Sequence, residues 1–405
     1  MSSVRVVIAV GLFFIAGFAS DRIIADYCVG SRMGGIVMVS TPGISSGYVL
    51  TYPNTGISFF EESGEVNLLD ERGHVVHRWT TQHPVLAARL QPSGHLYVSM
   101  TPPIDQPAQP GGGTTGLIQE LDWEGNVVWE YEDAAMHHEF DVLPDGSVVF
   151  IRWDPLPSDF SRRLVGGSGD AKKEAWSDEF VIVNREKKII WSWHIYQHIE
   201  LSRYPINPFA PRSDSTHTNS VVYTLDNPLT HTPAILVSVR NISKVFLIDV
   251  QSGEMIWESP KDLFSLQHDA TFTDAGTILV FDNGLFRLRT RANFWSTVVE
   301  INPRTNKVVW EYEGGKTGAE KSKFASSITS GAQRLANGNT LITASMASRI
   351  FEVTPDKRIV WQYVNDYRDD ESRDRNMFKT RKYSPESTEW KARIPTLIPM
   401  LCGAY

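Results

Sequence analysis

The chain has 405 residues, of which 41% are hydrophobic and 11% aromatic, so it can bury a large core and is not a disordered protein. Its formal net charge is −8, and it contains no long run of Lys and Arg. A nucleic-acid surface needs a basic stripe to displace phosphate counterions. The composition therefore argues against that function and favours a small substrate.

The first predicted element is an export segment. Arg5 precedes an apolar run over residues 6–19, which ends in small residues as export signals do. The run is short for a membrane span of about 20 residues, but apolar residues resume after it, so an uncleaved anchor is the alternative. We expect residues 1–30 to be a signal peptide or a membrane anchor. The rest of the chain is then expected to be periplasmic or otherwise extracytoplasmic.

A phrase that recurs six times organises the remainder of the chain. Each copy has a polar residue, a turn with Gly or Lys, two mostly β-branched residues and a Trp, as in DWEGNVVW and NPRTNKVVW. The six copies end at Trp79, Trp129, Trp191, Trp257, Trp310 and Trp361. Their spacing, from about 50 to about 66 residues, is typical of propeller blades with loop insertions.

A second phrase lies between successive Trp residues. It consists of an alternating strand, a Pro/Asp/Asn/Gly turn and another apolar strand, as in HEFDVLPDGSVVFI and HDATFTDAGTILVF. These are β-hairpin signals, so each repeat is interpreted as four short strands. Units that cannot bury both faces alone are stable only when they stack into a closed ring. The pattern predicts an all-β, six-bladed β-propeller over residues 31–395, followed by a tail over 396–405.

The first repeat lacks an inner strand, because residues 47–79 supply only the later part of a blade. The segment at about 377–384 is predicted to supply this strand and to close the ring. Three long inserts are rich in Pro, Gly and Ser and are predicted to form loops over one face, where they would rim a substrate site. These inserts are residues 102–116, 155–177 and 205–215.

The two cysteines, Cys28 and Cys402, do not have the spacing of metal ligands. A zinc site or a cysteine nucleophile is therefore not expected. In an oxidising compartment the two could pair, because a ring brings the chain ends together, and two unrelated thiols are the alternative.

Three histidines occupy one recurring position of the repeat. His138 and His268 each lie eight residues before the turn glycine of their hairpin, Gly146 and Gly276. His217 opens the strand HTNSVVY at the corresponding point of the blade between them. In a propeller this point starts the innermost strand, beside the axis. A single histidine there is usually structural, but three at equivalent points favour a functional cluster.

Such a cluster could bind a metal, or it could hold an oxyanion while one imidazole acts as a nucleophile. Arg240 ends the strand AILVSVR, which pairs with the His217 strand. If Arg240 faces the axis, its guanidinium disfavours a cation and favours a tetrahedral anion, and no metal is then expected. The alternative is an ordinary edge arginine. His137 is expected to point away from the axis or into a turn, and it and the remaining histidines are assigned no role.

The motifs DSTHTNSVVY, ILVSVRN, QHDATF, VFDNG and SSITS resemble those of the bacterial aryl-sulfate sulfotransferases. The resemblance spans nearly the whole predicted propeller and is specific in these axial motifs. It implies that His268 is transiently sulfated, that His217 and Arg240 belong to the active site, and that His138 corresponds to a further active-site histidine from an earlier blade. The loop around 227–232 is longer than the family pattern.

The resemblance also implies that Thr329, in the SxITS motif, and Asn219, in the HxNS motif, contact the substrate. The implied activity moves a sulfuryl group from an aryl sulfate to a phenolic acceptor through a sulfo-histidine, with ping-pong kinetics and no nucleotide cofactor. A propeller that binds ligands or partners without chemistry is the second hypothesis, because fold alone does not determine function. A quinone-cofactor dehydrogenase is the third, suggested weakly by the phrase DVQSGEMIW, but the sequence shows no set of acidic residues for its calcium ion.

Overall fold

The computed structural model describes residues 27–32, 35–40, 43–54, 63–102, 110, 112–170, 174–287, 294–365, 376–387 and 389–394. Most of the expected export segment, the expected C-terminal tail and Cys402 lie outside the described residues. The export signal, the anchor and the pairing of the two cysteines therefore stay predictions. Within the described residues, no helix is long and apolar enough to cross a bilayer.

Five antiparallel sheets of four strands and one of six form the blades, and the predicted all-β, six-bladed propeller is confirmed. The strands below run from the axis outward. Blade 1 contains Arg381–Tyr383, Tyr48–Thr51, Gly64–Leu69 and Val75–Thr81. Blade 2 contains Val85–Leu90, Leu96–Met100, Leu117–Leu121 and Val127–Glu132. Blade 3 contains Met136–Val142, Val148–Pro155, Trp176–Val183 and Ile189–His194.

The second half of the ring continues the pattern. Blade 4 contains Thr218–Thr224, Ala234–Val239, Lys244–Asp249 and Met255–Glu258. Blade 5 contains His268–Phe272, Ile278–Asp282, Thr297–Asn302 and Lys307–Tyr312. Blade 6 contains Gly331–Arg334, Thr340–Ala344, Arg349–Val353 and Ile359–Asn365. A hairpin of Tyr27–Arg32 and Gly35–Ser40 extends blade 6 at its outer edge.

Short elements fill the connections between these strands. Two small pairs of strands join Gly166–Ser168 to Ile206–Pro211 and Pro53–Asn54 to Asn376–Met377. The α-helical turns are Ser158–Ser161, Ile195–His198 and Gly318–Lys321. The 3-10 turns are Leu201–Arg203, Ser345–Ala347, Pro385–Ser387 and Glu389–Arg393.

The ring closes where the sequence predicted. Arg381–Tyr383, from the far end of the chain, pairs antiparallel with Tyr48–Thr51 and becomes the innermost strand of blade 1. The first blade is thus built from both ends of the propeller. Because this pairing joins distant parts of the chain, it ties the stability of blade 1 to that of blade 6.

The recurring Trp residues have a structural cause. In each blade a Trp of the outer strand donates its indole N–H to the last turn of the next blade around the ring. The pairs are Trp79 to Asp122 (3.1 Å), Trp129 to Arg185 (2.9 Å), Trp193 to Gly253 (2.8 Å), Trp257 to Asn306 (2.8 Å), Trp310 to Pro355 (2.9 Å) and Trp361 to Glu71 (2.7 Å). In blade 3 the donor is Trp193, two residues after the Trp191 of the repeated phrase. The last bond joins blade 6 to blade 1, so the hydrogen bonds complete the circle.

Apolar layers fill the space between the blades. Phe140 and Phe150 of blade 3 and Val181 behind them are fully buried against Ala87 of blade 2. Each fully buried Phe stabilises the fold by roughly 1.5–3 kcal/mol relative to an exposed one. Since each layer belongs to two blades at once, one blade alone cannot retain its core.

Candidate active site

Three histidines from neighbouring blades meet near the axis. His138 lies in the innermost strand of blade 3, His217 directly precedes that of blade 4, and His268 begins that of blade 5. The ring centres of His138 and His217 are 4.6 Å apart. Phe378 packs at 6.4 Å from the ring of His138 and 6.5 Å from that of His268. The structure therefore brings together the histidines selected from the sequence.

Irregular backbone places these side chains. In blade 3 the ladder register shifts between His137 and Phe140, and in blade 5 it shifts just after His268. Such β-bulges re-aim side chains at the start of a strand. His138 has a φ of 57° and His217 a φ of 51°, in the left-handed region that is unfavourable for residues with a Cβ. Strained residues of this kind concentrate at functional sites.

The hydrogen bonds around His268 define which of its nitrogens carries the proton. Asn283 donates its amide to the carbonyl oxygens of Ser326 (2.8 Å) and Thr329 (3.1 Å). Its own oxygen therefore faces Nδ1 of His268, at 2.6 Å, and Nδ1 must be the protonated nitrogen. Nε2 accepts a hydrogen bond from the backbone N–H of Thr329 at 3.2 Å. Nε2 is therefore the nitrogen that carries the free lone pair of the neutral ring.

Burial and positive neighbours keep these imidazoles uncharged. The pKa of His268 lies well below 6.5, mainly because of burial and then because of Arg240, and the hydrogen bond with Asn283 opposes this only in part. The pKa of His138 is lowered in the same direction, first by burial and then by His217. Both rings are therefore neutral at neutral pH.

Arg240 supplies a fixed positive charge beside the histidines. Its backbone N–H donates to the carbonyl of His217 at 3.3 Å, and its guanidinium donates to the side-chain oxygen of Asn241 at 2.8 Å. Asn241 in turn donates to the carbonyl of Asp214 at 2.6 Å. Burial lowers the pKa of Arg240, which Asp214 partly offsets, and a guanidinium stays protonated in either case. Because this cation also lowers the pKa of His138 and His268, the cluster favours an anionic ligand over a metal ion.

Described residues of two predicted inserts lie against the axial histidines. Asp214, in the insert at 205–215, bonds to Nδ1 of His217 and sets the orientation of that ring. Gly113, in the insert at 102–116, accepts a hydrogen bond from the backbone N–H of His138 at 2.6 Å. A Cβ on Gly113 would lie 2.3 Å from the His138 ring, so only glycine permits this approach. These two of the three predicted inserts thus contact the histidines, as expected for the rim of a site.

The contact of His137 with His138 was not predicted from the sequence. It is fully buried, with its ring flat over Trp153 at 3.9 Å, and its Nδ1 lies 2.8 Å from Nδ1 of His138. Its Nε2 lies 3.2 Å from Oδ1 of the fully buried Asp178. The expectation that His137 points away from the axis or into a turn did not foresee this contact with His138. The two-residue bulge lets consecutive side chains share one contact, which strict strand alternation does not predict.

A buried ionic network lies among the inner strands next to the histidines. Asp269, which follows His268, contacts Lys379 at 3.0 Å and Arg381 at 2.9 Å. Lys379 also bonds to Glu139, which follows His138. Glu139 and its further partner Arg89, at 2.5 Å, are buried as well. These charges fill the axis beside the site and link blades 1, 2, 3 and 5.

The model of the arylsulfotransferase (ASST) family matches residues 105–366, more than half of the chain. The chain belongs to the arylsulfotransferase family. Similar solved structures include a protein of unknown function from Bacteroides caccae, with 13% identity, a TM-score of 0.49 and coverage of 83% of this chain and 98% of that one. A streptogramin B lyase structure has 12% identity, a TM-score of 0.44 and coverage of 84% and 83%. The search of curated proteins found no significant match.

Two further residues of this arylsulfotransferase were expected to contact substrate. Thr329 is half-buried with a φ of 54°; its backbone N–H reaches His268, and its hydroxyl donates to the carbonyl of Ile328 at 2.7 Å. Asn219 is buried and donates its amide to the carbonyl of Gln267 at 2.8 Å. Thr329 thus adjoins the site, whereas Asn219 ties the inner strands of two blades together just behind His268. Their contact with substrate stays a prediction.

Among the described residues, one group has the geometry to hold a metal ion: Asp154, Glu179 and His194, on blade 3. Its members are already paired, since His194 bonds to Asp154 at 2.8 Å and Arg152 bonds to Glu179 at 2.7 Å. The group lies on the second, third and fourth strands, away from the axial histidines. It is accounted for as an ion-pair network.

Proposed function

We propose that the protein transfers a sulfuryl group from an aryl sulfate to a phenolic acceptor, through an intermediate in which the group is bonded to Nε2 of His268. The observation that supports this most is the neutral Nδ1-protonated state of His268, beside Arg240 and two further imidazoles. A neutral imidazole has the lone pair that attack on sulfur requires, and the guanidinium matches the oxygens of a sulfuryl group.

In the first half-reaction, Nε2 of His268 attacks sulfur in line and the bond from sulfur to the aryl oxygen breaks. Charge develops on the sulfuryl oxygens, where Arg240 and His217 stabilise it, and on the departing oxygen, which receives a proton from His138. The phenol leaves and sulfo-His268 remains.

In the second half-reaction the acceptor phenol gives its proton to His138 and attacks sulfur. The bond from nitrogen to sulfur breaks and His268 is restored. Atoms and charge balance without a nucleotide or redox cofactor, which suits an enzyme working outside the cytoplasm, the location we propose from the N-terminal segment.

The test is to mix the enzyme with 4-nitrophenyl sulfate, with and without phenol. We expect a burst of nitrophenol equal to the enzyme, an enzyme mass raised by one sulfuryl group, and phenyl sulfate only when phenol is present. Initial rates should give the parallel double-reciprocal lines of ping-pong kinetics. A propeller that only binds ligands would release no nitrophenol, and direct transfer without an intermediate would leave the enzyme mass unchanged.

We expect Arg240→Lys to lower kcat/KM about 10²-fold. A lysine keeps the charge but cannot offer two parallel donors to the sulfuryl oxygens, and the loss of one transition-state donor costs roughly this factor. The measurement is steady-state nitrophenol release, with Arg304→Lys, on an exposed turn of blade 5, as the matched control. Equal kinetics of the two variants would remove Arg240 from the site.

The pH dependence of enzyme sulfation follows from the lowered pKa of His268. Since only the neutral ring attacks, the rate should stay level as the pH falls through about 6.5, the ordinary histidine value, and decline only below it. Quenching each burst into alkali before reading nitrophenol keeps the signal independent of pH. A decline centred on 6.5 would contradict the depressed pKa.

A further inference from the structure

The proposed role of His138 raises a chemical problem that its surroundings answer. His138 is 3% exposed, and burial together with His217, His137, His268 and Arg240 lowers its pKa, so it does not hold a second proton. A neutral imidazole that gave its one proton to a phenolate would become an imidazolate, a far stronger base than the phenolate itself. His138 therefore needs a second source of protons.

The structure provides that source directly behind His138. Nδ1 of His137 lies 2.8 Å from Nδ1 of His138, so one proton must lie between the two nitrogens. Nε2 of His137 faces Oδ1 of Asp178 at 3.2 Å, and Asp178 also accepts the backbone N–H of Thr218 at 2.7 Å. The hydrogen bonds from His137 and Thr218 outweigh the effect of burial and leave the pKa of Asp178 below its ordinary value. An ionised carboxylate only accepts, and among the described residues neither Nε2 of His137 nor Oδ1 of Asp178 has another partner, so a proton on this Nε2 faces a negative charge.

We propose that Asp178, His137 and His138 form a proton relay, in which a proton stored on His137 opposite Asp178 crosses to Nδ1 of His138 as Nε2 of His138 protonates the departing phenol oxygen. The inference rests on the proposed function and assigns His137 as a positioning residue. In the loaded state the two rings share three protons, and their positive charge is balanced by Asp178.

Each half-reaction moves the relay by one proton. When Nε2 of His138 gives its proton to the phenolate, the proton between the rings shifts from His137 to His138, and both rings end neutral. When the acceptor phenol delivers its proton to Nε2, the shift reverses and the charge returns to His137. His138 is thus never an imidazolate or an imidazolium, and the charge appears next to Asp178 rather than next to Arg240.

Leaving-group dependence is the readout that separates a relay from a structural role. The variant His137→Phe keeps an aromatic ring that can stack on Trp153. It removes the ring nitrogens, and with them the stored proton. Phenolate needs protonation as it leaves, whereas 4-nitrophenolate is a much weaker base. We expect single-turnover sulfation by phenyl sulfate to fall about 10²-fold and sulfation by 4-nitrophenyl sulfate to fall less than about 10-fold. Equal losses with both donors would overturn the relay.

Two further variants complete the experiment. Asp178→Asn removes the negative charge that balances the stored proton, so sulfation by phenyl sulfate should again fall much more than sulfation by 4-nitrophenyl sulfate. This variant replaces His137→Phe in the experiment if thermal unfolding shows that His137→Phe does not fold. His194→Phe is the matched control, because His194 also bonds to a carboxylate on blade 3 but lies on the outermost strand of that blade, and it should retain both rates. A wild-type enzyme that neither donor sulfates would overturn the proposed function and the relay with it. A sulfated wild type whose His137 and Asp178 variants lose both rates equally would overturn the relay alone.

Discussion

His268→Asn is expected to abolish both the sulfated intermediate and net transfer. The asparagine amide has no lone pair able to attack sulfur, so the rate should fall by at least about 10³-fold, as for the loss of other nucleophiles. The measurement pairs the intact mass after mixing with 4-nitrophenyl sulfate with the release of nitrophenol. Circular dichroism and thermal unfolding should show that the propeller remains folded.

The control for this variant is His231→Asn, since the His231 side chain is 65% exposed in a loop of blade 4 and bonds to the exposed Asp226. It should be sulfated as fast as the wild type. A stoichiometric mass increase in His268→Asn would mean that another residue accepts the group, and His217 would then be the next to replace. Retention of full turnover would remove His268 from the mechanism.

The architecture could be predicted because the same strand and turn pattern occurs six times in the sequence. Each outer-strand Trp bonds to the next blade, so the spacing of Trp79 and its counterparts along the chain reports the geometry of the ring. Closure by Arg381–Tyr383 followed from simple counting, because the first repeat lacked one strand. His138 and His268 were found by their equal distance from the turn glycines, which the hairpin ladders preserve.

The partners of these histidines could not be predicted in the same way. His137 was set aside because strand alternation turns consecutive residues to opposite faces, and the bulge after it breaks that rule. Asn283 lies 15 residues from His268 in sequence, and its orientation depends on two carbonyls of a distant loop. The ion pair of Asp269 with Arg381 joins residues 112 apart. Contacts that depend on where distant loops meet in the fold produce no repeating pattern in the sequence.

Asp269→Asn is expected to destabilise the fold by about 3–5 kcal/mol, the range for removing one partner from a buried ion pair. Its carboxylate contacts Lys379 and Arg381 and accepts the backbone N–H of Ala332 at 2.9 Å, so the amide would leave two buried cations short of negative charge. Urea unfolding monitored by Trp fluorescence measures the change. Asp226→Asn is the control, because its side chain is 72% exposed and its loss should change stability little.

The same carboxylate should make the fold sensitive to acid. Burial acts to raise the pKa of Asp269, but Arg381 and Lys379 outweigh it and hold that pKa far below the ordinary value. A group whose folded pKa is depressed stabilises the fold above its unfolded pKa of about 3.9 and loses this contribution as the pH falls towards the folded value. Stability of the wild type should therefore drop below about pH 4, and Asp269→Asn should show a shallower drop from its lower starting point. If the two proteins differ by the same amount at pH 7 and at pH 3, the charge of Asp269 is not what holds the closing strand.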